Sequence, residues 1–191
     1  MHISIEGIDG TGKTTIAKAL AKRLGFSYVE KPFSSIFSDL SKEKYLELKK
    51  GLKKLGNKNV SCWFYGMNLL FASEFYRGEN IVLDRGVVSN FAWMIDQTNI
   101  EIFDTAIKFS GLPDFLVLIT LEGNVLKRRL FERDGTDGDL SKIEYADIVQ
   151  SKMISLLDRC NAEYVIIDRT KHDVDQTIEI ILLELTKRGL L

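Results

Sequence analysis

A chain of 191 residues suffices for one domain with a sizeable core, and 45% apolar with 28% charged residues is an ordinary globular composition. The formal net charge of -1 gives no global pull toward nucleic acid or an anionic membrane surface. Cys62 and Cys160 form no C-x-x-C pair, His2 and His172 lack partners at metal-ligand spacing, and no apolar run nears the ~18 residues of a membrane span, so free thiols, no zinc and no transmembrane segment are expected.

Five short apolar runs read as strands. The first, "HISIEG" (2–7), leads straight into structure, so no leader is expected and the chain is read as cytoplasmic. Residues 13–24 follow as a helix, with Ile16, Leu20 and Leu24 on one stripe and Gly25 as its stop. "SYVE" (27–30) is the second strand, and the lysines of "LKKGLKKLGNKNVS" (48–61) read as a solvated helix face and loop. "NIVLD" (80–84), "DFLVLIT" (114–120) and "YVIID" (164–168) complete the strands. Their apolar residues are consecutive rather than alternating, which suits strands covered on both faces. "SKIE" (141–144) is a capping box predicting a helix from about Ser141, and Asp173 is the predicted N-cap of a last helix over 173–188. Strands alternating with helices predict an α/β fold with a parallel sheet.

The first strand–helix junction carries the strongest chemical signal. Gly7-Ile8-Asp9-Gly10-Thr11-Gly12-Lys13-Thr14 fits G-x-x-x-x-G-K-[ST], the phosphate-binding loop. Its glycines let backbone N–H groups wrap an anion, and the following helix adds its free N–H groups and positive dipole end. Lys13 can reach the β- and γ-phosphates, and the Thr14 hydroxyl can ligate Mg²⁺. At the end of the third strand, Asp84 can serve a Mg²⁺ shell or accept a proton, and Arg85 can grip phosphate; the bland alternative is a surface ion pair.

These segments resemble the thymidylate kinase family over nearly the whole chain: "IEGIDGTGKTT" its opening, "LLFAS" (69–73) its L-L-F-A-[AS] helix, and "DRGVVSNFAW" (84–93) its D-R-Y-x-x-S-x-x-A-Y segment. "GLPDFLVLITLEGNVLKRRLFER" (111–133) is similar to its P-D-L strand and arginine-rich helix. The resemblance implies a three-layer P-loop NTPase fold: a five-stranded parallel sheet of order 2-3-1-4-5, helices on both faces, and one nucleotide-kinase domain over 1–191 with a short lid at about 129–141. It implies Gly7, Asp9, Gly10, Thr11, Gly12, Lys13, Thr14, Thr15 and Arg129 at ATP, and Thr14 and Asp84 at Mg²⁺. Lys13, Asp84, Arg85 and Arg133 are the implied catalytic set. Asp9, Lys31, Phe71, Arg85, Ser89, Asn90 and Trp93 would hold the acceptor, with Phe71 stacked on its base and Trp93 at its sugar; core packing is the rival role for both aromatics. Arg128 is read as solvated.

The departures from that pattern are Gly86 for its tyrosine, "VEKPF" (29–33) for its R-E-P segment, Phe75 for its base-reading arginine, and an acidic lid "RDGTDGDLS" (133–141). The resulting reading is Mg²⁺- and ATP-dependent phosphoryl transfer to a deoxynucleoside monophosphate, a pyrimidine such as dTMP. Lys31, Arg77 and Arg85 are the cations expected for its phosphate. A deoxynucleoside kinase and a non-catalytic nucleotide-binding regulator remain alternatives. Small-molecule nucleotides are the expected partners, without nucleic acid or membrane, and a homodimer is an open possibility.

Overall fold

The computed structural model describes residues 1–30, 42–133 and 143–191. Lys31 and lid residues 134–141 lie outside them, as does the predicted helix start at Ser141. The strands are β1 (His2–Glu6), β2 (Ser27–Glu30), β3 (Ile81–Asp84), β4 (Phe115–Thr120) and β5 (Tyr164–Asp168). The helices are α1 (Lys13–Leu24), α2 (Lys42–Leu55), α3 (Lys58–Phe75), α4 (Ile100–Ser110), α5 (Gly123–Arg133), α6 (Ala146–Arg159) and α7 (Val174–Lys187).

All strand pairings are parallel and the sheet order is β2-β3-β1-β4-β5, as expected from the resemblance. The consecutive apolar residues are explained by two cores. On one face Ile3 and Ile5 of β1 and Phe115, Val117 and Ile119 of β4 pack against α1 and α7. On the other, Leu116 and Leu118 meet Leu69, Phe103 and Met153 from α3, α4 and α6. Phe91 and Phe103 contact edge to face, centroids 5.2 Å apart, in the second core. Each such fully buried side chain contributes about 1.5–3 kcal/mol.

Helix ends follow their local chemistry. Gly25 caps α1 in the left-handed region, and Asp173 and Gln176 form a reciprocal capping box at α7. The lysine-rich stretch breaks into two helices. Gly56 takes φ 65° and Asn57 accepts from the N–H groups of Asn59 and Val60 at 2.9 and 3.3 Å, starting α3. Before α6, residues 143–145 form a 3₁₀ turn and the α-helix begins at Ala146, later than the capping box suggested. Among the described residues, no helix is long and apolar enough to cross a membrane.

Candidate active site

The loop between β1 and α1 curls at the carboxyl edge of the sheet. Gly7, Gly10 and Gly12 all take positive φ, 142°, 87° and 92°. Gly7 admits no side chain, because a Cβ there would lie 2.5 Å from the Ile119 carbonyl oxygen. Lys13, at the first position of α1, is 3% exposed and its Nζ donates to the Ile8 carbonyl. A cleft of about 240 Å³ is lined by Asp9, Gly10, Gly12, Lys13, Thr14, Thr15, Arg85 and Arg129, so most of the expected ATP set converges. Thr11 and Gly7 are not in this lining. The Thr11 side chain is fully buried and its hydroxyl donates to Ile8 O at 2.9 Å, which shapes the loop from within.

Asp84 is 4% exposed and does not pair with Arg85, so the surface ion-pair alternative is not what the fold builds. Its Oδ2 accepts from the Thr14 hydroxyl at 2.6 Å and the Tyr28 hydroxyl at 3.0 Å. Its Oδ1 is buried without a hydrogen-bond partner, the one such side-chain atom among the described residues. A buried carboxylate oxygen left open beside a threonine hydroxyl is an oxygen donor set suited to a hard divalent cation, so the residues present fit Mg²⁺. Burial, then the Asp84 charge and hydrogen bond, push the Tyr28 phenol well above its ordinary range, so it stays a donor toward Asp84.

Arg85 adopts φ 71°, left-handed for a residue with a Cβ, and its guanidinium pairs with Asp9. Asp9 and Arg85 line the phosphate-loop cleft and also two neighbouring clefts. The nearer, about 360 Å³, also takes in Thr14, Glu30, Tyr45, Lys49, Tyr65, Asn68, Leu69, Asp84 and Asn90. The other, about 610 Å³, adds Leu46, Lys50, Lys53, Trp93 and Met94. Asn90 lines both of these clefts. Trp93 reconciles its two readings: it lines the larger cleft and packs against the core. Burial pushes the phenols of Tyr45 and Tyr65 upward.

Ser89 is 1% exposed and lines the larger cleft, and its hydroxyl donates to Glu6 and accepts the Gly7 N–H at 2.9 Å. Phe71 is half-buried and absent from the lining of these clefts; on α3 the lining comes from Ser61, Tyr65, Asn68, Leu69 and Ala72, a neighbouring stripe. Arg77 is exposed and paired with Glu74, away from the cleft. Arg133 closes α5, and its side chain lies outside the description.

Sequence reading missed four contributors. Lys49, taken as solvated, lines both acceptor-side clefts. Tyr28 and Glu6 sat inside strand patterns with nothing to set them apart. Arg169 directly follows β5. It is 7% exposed, donates to His172 O at 3.0 Å, and its Nη1 would lie 3.3 Å from a Cβ on Gly12. Burial, then the nearby positive Arg129, lower its pKa.

A parallel sheet of this order, with a G-x-x-x-x-G-K-T turn leaving its central strand, defines a P-loop nucleotide-binding protein. The family model described as AAA domain matches residues 3–150, and the chain belongs to that family. It is similar to a probable thymidylate kinase of Methanocaldococcus jannaschii, 25% identical with 92% of this chain and 90% of that protein covered. A probable thymidylate kinase of Archaeoglobus fulgidus is 29% identical, with 90% and 88% covered. Among solved structures, deoxyadenosine kinase from M. mycoides with bound dCTP shares the fold at TM-score 0.65 and 20% identity, covering 98% of this chain and 100% of that one. The resemblance to the thymidylate kinases is thus borne out, and the chain is of the nucleotide-kinase kind.

Proposed function

We propose that the protein transfers the γ-phosphoryl group of ATP to a deoxynucleoside monophosphate, a pyrimidine nucleotide such as dTMP. The observation that carries this reading is the shared boundary: Asp9 and Arg85 line both the phosphate-loop cleft and the side-chain-rich clefts beside it. A phosphoryl group moving between two ligands needs such a junction, with water excluded.

The chain's residues divide the work accordingly. Backbone N–H groups from Gly10 to Thr14 and the start of α1 grip the donor phosphates. Lys13 leaves the Ile8 carbonyl for the β–γ bridge, where charge grows during transfer. Thr14 and Asp84 would hold Mg²⁺, which supplies charge neutralisation on the donor phosphates when bound. Arg85 exchanges Asp9 for the acceptor phosphate, with Lys49 as a second cation within reach of the same cleft. Tyr65 offers an aromatic face to the base, and Asn68 and Asn90 offer amides to its edge. Trp93 at the sugar side favours a deoxyribose. Arg129 and Arg133 serve the donor side and the lid. The similarity to proteins named thymidylate kinases supports the same acceptor class.

One observation favours a second reading, an unphosphorylated nucleoside as acceptor. Glu30 lines the cleft beside Asp84, its neighbour in strand register, and could take a proton from a 5′-hydroxyl. Initial ADP formation with Mg²⁺ and matched panels of nucleosides and monophosphates, ribo and deoxy, decides between them. Fastest turnover with a pyrimidine deoxynucleoside monophosphate is expected. Faster turnover with a nucleoside than with its monophosphate would replace the first reading by the second. ATP binding without acceptor-dependent turnover on any member of the panel would leave a regulator.

A further inference from the structure

Alternation along β1 puts Ile3 and Ile5 on one face of the sheet and Ser4 and Glu6 on the other. A carboxylate has no apolar partner to offer there, yet Glu6 is fully buried. Five hydrogen bonds satisfy it. Oε1 accepts from Ser4 Oγ at 2.7 Å and from the N–H groups of Gly86 and Val87 at 3.0 and 2.6 Å. Oε2 accepts from the N–H and hydroxyl of Ser89 at 2.9 and 2.5 Å. Four of the five donors belong to the turn that begins immediately after Arg85.

We propose that Glu6 is a positioning residue for Arg85, an inference that rests on the reading of Arg85 as the acceptor-side cation. A residue with a Cβ does not settle at φ 71° unless its neighbours hold it there. On the upstream side the Arg85 N–H is fixed to Ile5 O at 3.1 Å, and on the downstream side Glu6 clamps the next two peptide N–H groups. With both flanking peptides fixed, the left-handed turn aims the guanidinium at Asp9, on the boundary between donor and acceptor clefts. The clamp also accounts for Gly86, where the thymidylate kinase pattern has tyrosine. A Cβ at 86 would sit 2.5 Å from Ser4 Oγ and 3.3 Å from Glu6 Oε1, so a side chain there would displace the clamp. Through Ser89, which also accepts the Gly7 N–H, the same carboxylate ties this turn to the entry of the phosphate loop.

The test is a double-mutant cycle on the full chain, using Glu6→Gln, Arg85→Ala and the pair. Glutamine keeps the shape, but whichever way its amide turns, its NH₂ faces N–H or O–H donors. Glu6→Gln should lower acceptor kcat/KM by on the order of 10–100-fold, with the ATP dissociation constant by calorimetry changed less than about threefold. In the Arg85→Ala background the same change should cost less than about threefold, because nothing remains to be aimed. The full loss in both backgrounds, or no loss in either, overturns the proposal while leaving Arg85 its acceptor role. An Arg85→Ala protein with wild-type acceptor kinetics overturns both. Should Glu6→Gln not fold, Ser89→Ala removes two of the hydroxyl's bonds and should lose about 3–10-fold, again only when Arg85 is present. A loss that persists without Arg85 overturns the proposal by that route.

Discussion

The phosphate loop is one run of eight residues from the end of β1 into the first turn of α1, whereas the acceptor wall draws Glu30 from β2, Tyr45 and Lys49 from α2, Tyr65 and Asn68 from α3, and Arg85 from just beyond β3. The first works mainly through backbone groups and tolerates little change, because each glycine answers a local geometric demand. The second works through side chains on separate elements. A single fold can therefore keep one donor and change acceptors, which is where this chain departs from the thymidylate kinase pattern.

The sharpest test of the contrast lies on the donor side. Lys13→Met should depress kcat by roughly 10²–10³-fold, as for loss of one preorganised donor to a transition-state oxyanion. Melting temperature should change little, and acceptor binding by calorimetry should persist. Next in size, Arg85→Ala should raise acceptor KM about 10–150-fold, the equivalent of roughly 1.5–3 kcal/mol for a hydrogen bond to a charged group. ATP affinity should hold; if it falls in step, the two halves are not separable. On the acceptor wall, Tyr65→Ala should weaken acceptor binding by about 1–3 kcal/mol if its ring stacks on the base. Phe71→Ala should leave acceptor KM within about threefold and lower thermal stability instead. The reverse pattern in steady-state kinetics and melting would restore the family's stacking phenylalanine.

The smallest effect is electrostatic and lies behind the acceptor wall. Asp96 accepts from the Thr98 hydroxyl, from Lys58 at the start of α3, and from the Thr98 N–H, which together hold its pKa down at about 2. A depressed carboxylate stabilises the fold above its unfolded value near 3.8, and that contribution disappears as pH falls toward 2. Asp96→Asn should therefore lower the urea midpoint slightly at pH 7, with the difference shrinking through pH 4 to 2. A gap that stays constant with pH would assign the effect to packing.

What the sequence made legible follows the same division. The strands could be read because burial on both faces leaves consecutive apolar residues, and the donor loop because its parts are contiguous. Asp84 and Arg85 were found because a strand end in a parallel sheet is where ligands sit. Glu6, Tyr28, Lys49 and Arg169 could not be found that way, since the contacts that bring Glu6 to the turn at 86–89, Tyr28 to Asp84 and Arg169 to Gly12 join segments far apart in the chain, and the spacing within their own elements carries no signal. Ser89 and Phe71 are the opposite case. A motif gives each a role, yet the Ser89 hydroxyl also bonds Glu6 and Gly7, and helical phase turns a neighbouring stripe of α3 toward the cleft.

The adjacency of β1 and β3 has a metric consequence. Ile5 and Asp84 are partners in register, so the loop carrying Lys13 and the turn carrying Arg85 spring from neighbouring strands about 4.8 Å apart. The sheet thus acts as a ruler for the reaction. Ligands anchored to those two outlets are held one rung from each other, leaving a gap that a transferred group spans without either ligand moving far. Lengthening α2 or reshaping α3 alters what is held at the second outlet and leaves the rung unchanged. An extra strand between β1 and β3 would double it and strand donor and acceptor out of reach.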